Sequence, residues 1–323
     1  MSLRSLLFLG FFSVNLFAHQ TGLSYVEIKE SLDHKISVVY KKPLSDKKGK
    51  DIRIKYPEGC LKKEIQKQEI VNGFIINRYQ LWCQGEGLKS KRIWIDGLNS
   101  QDRGILIYYE KESFKSSSLV RSRTPFMHID TKTTTAEFFV EYVELGLFHI
   151  AGGYDHLLFV LALFLLARSI KQLLYAITAF TLSHSITLAF GIFGVISVGV
   201  AYIEAMIALS IVFLARELVS SRNSLTKNYL GVIAFIFGLL HGFGFSSALK
   251  NIGLAADAIP LSLFSFNVGI ELGQILFISC LSAIAYFTRG FSRYVSVEKF
   301  KRVVAYFIGS LSSMWLIERI AGF

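Results

Sequence analysis

Gly146-Leu-Phe-His149-Ile-Ala-Gly-Gly-Tyr-Asp155-His156-Leu-Leu-Phe-Val-Leu-Ala-Leu-Phe-Leu-Leu166 is the stretch on which the fold turns. Its final run, Leu157 to Leu166, has no polar side chain, and it lies in a longer apolar segment from Phe138 to Ala167. That segment is too long for one membrane crossing, which takes about 20 residues. Gly152-Gly153 sits in its middle and marks a natural division. Residues 137–151 then read as an amphipathic or re-entrant piece carrying Glu137, Glu141 and Glu144, with the first true span at 153–168. His149 and His156 are two helical turns apart, so they share a face if the helix continues through the glycines. If the glycines break it, the chain instead folds His149 back towards Asp155 and His156.

Working outward, further apolar runs occupy 172–194, 200–219, 229–249, 260–288 and 303–321, which makes six expected spans. The whole chain agrees with this. Of its 323 residues 52% are hydrophobic and 18% charged, whereas soluble domains carry about 25% charged residues. Disorder is excluded by the abundance of Phe, Leu and Ile. Collagen-like and disulfide-dense scaffolds are excluded by 25 Gly and 3 Cys. An integral membrane protein is the reading that remains.

The charge is unevenly divided. Residues 19–135 hold 22 basic and 14 acidic residues, and residues 136–323 hold 12 and 10, within a net charge of +11. The first eighteen residues, with Arg4 before an apolar run from Leu6 to Phe17 and a small residue at Ala18, predict a signal peptide. An uncleaved anchor is the alternative. Cleavage would leave His19 as the mature N-terminus, where its α-amine and imidazole could together chelate copper or nickel, or it is an ordinary terminal residue.

Residues 19–135 predict an exported β-rich domain, a small sandwich or barrel. Ile36–Tyr40, Ile52–Tyr56, Ile93–Ile95 and Ile105–Tyr109 are β-branched or aromatic runs separated by polar turns. Cys60 and Cys83, alone in this domain and in an oxidising compartment, are expected to pair, against the alternative of two separate thiols. The basic surface is read as solvated or as attracted to anionic lipid, and nucleic acid is not an expected partner. An exported N-terminal domain makes the connections at 168–171, 216–228 and 289–302 cytoplasmic. They carry ten Lys or Arg, against Lys250 and Arg319 on the other side, as the positive-inside rule requires. This reads as a multi-pass protein of the inner, cytoplasmic membrane with its N-terminal domain on the far side.

The chemistry lies in what the spans should not contain. His149, His156, His184 and His241 fall in or beside them, with Asp155, Glu204 and Glu271. A carboxylate at the bilayer centre costs about 2.5–3.5 kcal/mol on the insertion scale, so each acid needs a partner. No Lys or Arg lies deep enough to serve all three. A bound divalent cation would, and imidazole with carboxylate suits nickel, zinc, cobalt or ferrous iron. Thr178, Thr181, His184, Ser185 and Thr187 give one polar side to the second span. Asn267, Glu271 and Gln274 recur at helical spacing, and Ser183 joins Ser185 as polar lining. Taken singly, His241 reads equally as a hydrogen-bonded packing residue, Asn267 and Gln274 as interhelical glue, and Glu217 as a surface partner of Arg216. His34 and His128 read as surface residues. Asp155-His156 has no easy structural excuse.

Five segments also carry a resemblance: Gly146–Phe159, Phe180-Thr-Leu-Ser-His184-Ser-Ile-Thr-Leu, Glu204–Ser210, Gly238-Leu-Leu-His241-Gly-Phe-Gly-Phe and Phe266-Asn-Val-Gly-Ile-Glu271-Leu-Gly-Gln274. They are similar to the HupE/UreJ family, and to its longer branch with an exported N-terminal domain. Pro57-Glu-Gly-Cys60 and Leu81-Trp-Cys83 fit that branch as well. The resemblance implies a polytopic bacterial membrane protein with hydrogenase- and urease-associated relatives regarded as nickel permeases, and His149, Asp155 and His156 as the metal motif. His149 and Asp155 are separated by five residues, whereas the better established nickel/cobalt permeases have four, so their metal geometry does not transfer.

The leading expectation is therefore a divalent metal transporter, for nickel or a similar ion. Its site would use His149, Asp155, His156, His184 and His241, with Glu204 and Glu271 as further ligands, charge compensation or a proton-linked step. The alternative is an intramembrane zinc hydrolase acting on a lipid or membrane-embedded peptide, with Glu204 or Glu271 as general base. A third reading is a scaffold whose exported domain binds a protein partner. The lipid bilayer is a partner in all three.

Overall fold

The computed structural model describes residues 24–31, 35–43, 52–64, 68–71, 74–84, 87–88, 91–98, 104–112, 114–129, 134–196, 198–220, 224–252, 259–288 and 296–321. The expected signal peptide, His19 and His34 lie outside them.

The N-terminal region is β-rich, as expected. Its strands are β1 (Ser24–Glu30), β2 (Lys35–Pro43), β3 (Arg53–Lys55), β4 (Cys60–Glu64), β5 (Glu69–Val71), β6 (Phe74–Cys83), β7 (Arg92–Asp96), β8 (Ile105–Lys111), β9 (Phe114–Val120) and β10 (Phe126–His128). Seven form one sheet in the order β4-β6-β2-β1-β8-β9, with β5 also on β6, and three form a second in the order β10-β7-β3. Side chains alternate between faces along a strand. Val26, Ile28, Ile36, Val38, Leu81, Ile105 and Ile107 therefore turn together to meet Ile93, Ile95 and Met127 of the second sheet in one core. This is the sandwich of the two forms expected. Each such side chain contributes about 1.5–3 kcal/mol on burial. Cys60 and Cys83 lie directly opposite across β4 and β6 and form the expected disulfide.

One acid is built into this core. Glu30 accepts from Lys111 Nζ at 2.6 Å, from the Tyr109 hydroxyl at 2.8 Å and from the Leu88 backbone N–H at 3.2 Å. Burial alone would push its pKa up, but these donors favour the carboxylate and hold it below the usual value. Gly87, at φ +73°, makes the approach possible, since a Cβ there would lie 2.1 Å from Glu30 Oε1.

The helices are α1 (Thr135–Gly152), α2 (Tyr154–Leu166), α3 (Ile170–Ile192), α4 (Val200–Val219), α5 (Leu225–Asn228), α6 (Leu230–Ile252), α7 (Ile259–Phe287) and α8 (Val297–Ala321). Thr134 caps α1 in a reciprocal box with Glu137, satisfying backbone groups that the first turn leaves open. The chain then bends by 75° between α1 and α2, with Gly153 as the single residue between them. Of the two possibilities for Gly152-Gly153, the broken helix is the one realised.

Among the described residues three helices, α3, α7 and α8, are long and apolar enough to cross a membrane, and α1–α2 make a fourth if a bent pair counts as one span. The other expected segments are also helical but fall short of that standard. Glu204, Arg216 and Glu217 charge α4, and α6 is apolar over its described stretch Leu230–Ser246.

Glycines set the helix crossings. At the crossing of α1 and α7, a Cβ on Gly146 would stand 3.0 Å from the Gly269 Cα. Along α3 and α6 the close pairs are Tyr175 with Gly231, Phe180 with Gly238, His184 with Gly242 and Gly191 with Ser246. The numbers rise together, so α3 and α6 run parallel. Two spans separated by one between them have that relationship in an alternating bundle.

The sandwich is not a separate body hung on the bundle. Tyr25, Leu106 and Tyr108 leave the β core on the opposite face of β1 and β8. They are buried with Ile150, Leu188, Phe266 and Ile270 of the helices.

Candidate metal centre

The bend at Gly153 builds the site. His149 occupies the last turn of α1, and Asp155 and His156 the first turn of α2. The two imidazole rings meet with centroids 4.8 Å apart. His184 enters from α3, 6.0 Å from His149 and 5.9 Å from His156, and His241 enters from α6, 5.0 Å from His156. Gly242 seats α6 against α3 at this level, because a Cβ there would stand 2.3 Å from the His184 carbonyl oxygen. Four imidazoles and one carboxylate, from four helices, are thus all buried in one place.

Their nitrogens can act together. His149, His156 and His184 each offer one ligand atom, and these atoms lie within 4.8 Å of one another. A tetrahedral site with metal–nitrogen bonds of about 2.1 Å needs nitrogens roughly 3.4 Å apart, a small closure by rotamer adjustment. Asp155 Oδ1 lies 3.1 Å from His156 Nδ1. With Asp155 as carboxylate, His156 Nδ1 is the donor of this contact and Nε2 presents the lone pair. That Nε2 is buried and has no hydrogen-bond partner among the described residues. His241 Nδ1 donates to the Phe237 carbonyl at 2.9 Å, which fixes the same tautomer. This is how second-shell acceptors orient metal-binding imidazoles.

Aromatic rings wall the centre. Phe180 lies 5.0 Å from His241, Phe159 lies 5.2 Å from His241, and Phe245 lies 4.2 Å from His149. The imidazoles are thus packed among apolar rings.

The remaining expected residues make contacts of their own. Glu204 forms an ion pair with Arg319 at 2.8 Å, so a cation for one of the three acids does exist, supplied by the last helix. Glu271 accepts from the Thr178 hydroxyl at 2.6 Å. Gln274 Oε1 accepts from Thr181 at 3.1 Å, and Asn267 Nδ2 donates to the Leu263 carbonyl at 2.7 Å. Ser183 and Ser185 donate to the Phe180 and Thr181 carbonyls on their own helix. Glu217 is buried and sits 3.4 Å from Arg216 Nη1, the pairing expected for it but not an exposed one. His128 accepts from Arg92 Nε at 2.7 Å, at the surface.

The sequence reading missed Phe159, Phe180 and Phe245 as walls of the centre, together with Phe266, whose ring lies 5.4 Å from His149, although each stands inside a quoted segment. Their apolar character gave no reason to separate them from ordinary bundle packing.

The fold and site define a class: a membrane-type helical protein with a buried histidine centre of metal-binding character, joined to a β-sandwich. A sequence model of the family described as HupE / UreJ protein matches residues 126–319. The chain belongs to the HupE/UreJ family, which is associated with nickel and cobalt transport. No curated protein and no solved structure matches it.

Proposed function

We propose that this chain is a bacterial inner-membrane transporter of nickel or a similar divalent cation, with His149, Asp155, His156, His184 and His241 as its ion site. The observation that carries the reading is the meeting of His149, His156 and His184 nitrogens within 4.8 Å inside the bundle. The cargo would exchange its water shell for imidazoles already oriented by Asp155 and by the Phe237 carbonyl.

The proposal takes α1–α2, α3, α4, α6, α7 and α8 as six crossings, with residues 1–18 removed, residues 19–135 outside the cytoplasm and residues 136–323 in the membrane. The charge map supports that orientation, as does the parallel run of α3 and α6. Transport is favoured over hydrolysis because the two carboxylates considered as general bases are held elsewhere, Glu204 by Arg319 and Glu271 by Thr178. An extracytoplasmic protein partner would have the outer surface of the sandwich available.

The experiment is uptake of nickel into proteoliposomes containing the purified full chain. His156→Ala and Asp155→Asn should each lower the initial rate at least tenfold. Uptake at the wild-type rate in both variants would reject the site.

A further inference from the structure

The histidine centre has one wall that the transport reading leaves without a role. Phe245 of α6 and Phe266 of α7 stack with centroids 5.1 Å apart and planes 5° from parallel. Both rings lie against His149, at 4.2 and 5.4 Å. Phe266 is fully buried in the cluster that contains Tyr25, Leu106 and Tyr108 of the sheet, and Phe245 packs on that cluster. His149 thus meets a stacked pair of rings that shares one buried cluster with the helix-facing side of β1 and β8. Beside this plug, Arg121 ties the sheet to α1 through an ion pair with Glu144 and through its guanidinium, 5.0 Å from the Phe148 ring centre.

We propose that Phe245 and Phe266 are the gate of the histidine centre on the sheet side, and that Tyr25, Leu106 and Tyr108 latch it by holding Phe266 in place. The inference rests on the transport reading only for what passes. A hydrated ion cannot cross a closed apolar constriction without losing its shell, the principle by which hydrophobic gates work. Rotating the Phe245 ring would open one side, but Phe266 is clamped between helices and sheet, so full opening requires the sheet face to lift. The attached β region then has a physical reason to sit where it does: it couples an event outside the bundle to access at the site.

The test needs no metal. The full chain in nanodiscs carries His149→Cys in a Cys280→Ser background, and the rate of its modification by a charged methanethiosulfonate reagent is measured. Phe245→Ala with Phe266→Ala should raise that rate at least tenfold. Tyr25→Ala with Leu106→Ala should raise it too, although both rings remain. A parallel reporter, Ala162→Cys, in the fully buried core of α2, should stay slow in the same backgrounds. Unchanged labelling at position 149 would overturn the gate. So would labelling that rises equally at both reporters, since that reports general loosening. Because the readout is independent of metal, its failure leaves the histidine site standing, and failure of nickel uptake leaves the gate standing.

Discussion

His149 and His156 face each other with ring centroids 4.8 Å apart because the helix stops at Gly153 and restarts at an angle of 75°. In an unbroken helix seven residues rise by about 10.5 Å, too far for two side chains to share one ion. The break converts two residues on one helix face into a pair that can. The same corner brings Asp155 alongside His156 and turns His149 towards His184 of α3.

The first prediction concerns that corner. A Cβ on Gly153 would stand 2.9 Å from both His156 Nδ1 and the His149 carbonyl oxygen, and 3.3 Å from Asp155 Oδ1. Gly153→Ala should therefore disturb the orienting contact without touching the bundle core. Second-shell changes typically cost 10–100-fold in metal affinity. Competition titration with a chelator should show about a tenfold weaker nickel affinity, while the thermal unfolding midpoint moves by less than a few degrees. Unchanged affinity would mean that Asp155 does not orient His156.

A second prediction separates Glu204 from the ion site. Its side chain is mostly buried and Arg319 is its charged partner. Removing one member of such a pair leaves an uncompensated charge, at a cost on the order of 3 kcal/mol. Arg319→Met alone should lower the unfolding midpoint in detergent clearly. Arg319→Met with Glu204→Gln should recover most of the loss, and the double variant should bind nickel as the wild type does. A loss of binding in the double variant would return Glu204 to the ligand set.

These residues also show what the sequence could carry. The break at Gly152-Gly153, the four histidines and the cystine were legible because each depends on a local pattern or a rare residue type. The helical character of all the expected spans was legible from apolar runs. The partner of Glu204 was not, because Arg319 lies more than a hundred residues away at the end of the last helix, where a basic residue reads as a tail charge. The burial of both faces of β1 and β8 was equally hidden. Tyr25, Leu106 and Tyr108 alternate with core residues as ordinary amphipathic strand positions do, and only the docked helices explain why the second face is apolar.

A third prediction concerns acid. Glu30 has a folded pKa below its usual value near 4.5, with burial opposed by Lys111, Tyr109 and the Leu88 N–H. The unfolded chain therefore binds this proton more readily, so stability rises with pH across the interval between the two values. The contribution is fully present above about pH 4.5 and is lost as the pH falls through the lower folded value. Glu30→Gln should flatten this part of the acid limb, measured by near-ultraviolet circular dichroism of the full chain. An acid limb identical to that of the wild type would show that Glu30 is not coupled to folding of the sandwich.

The central claim is that the buried histidines form one ion site, and elemental analysis of the purified full chain after equilibration with nickel and removal of free ion tests it most directly. The account predicts one nickel per chain in the wild type and in Glu204→Gln, and less than a tenth of that in His149→Ala, His156→Ala and His184→Ala. Equal nickel content in the wild type and in all three histidine variants would contradict it.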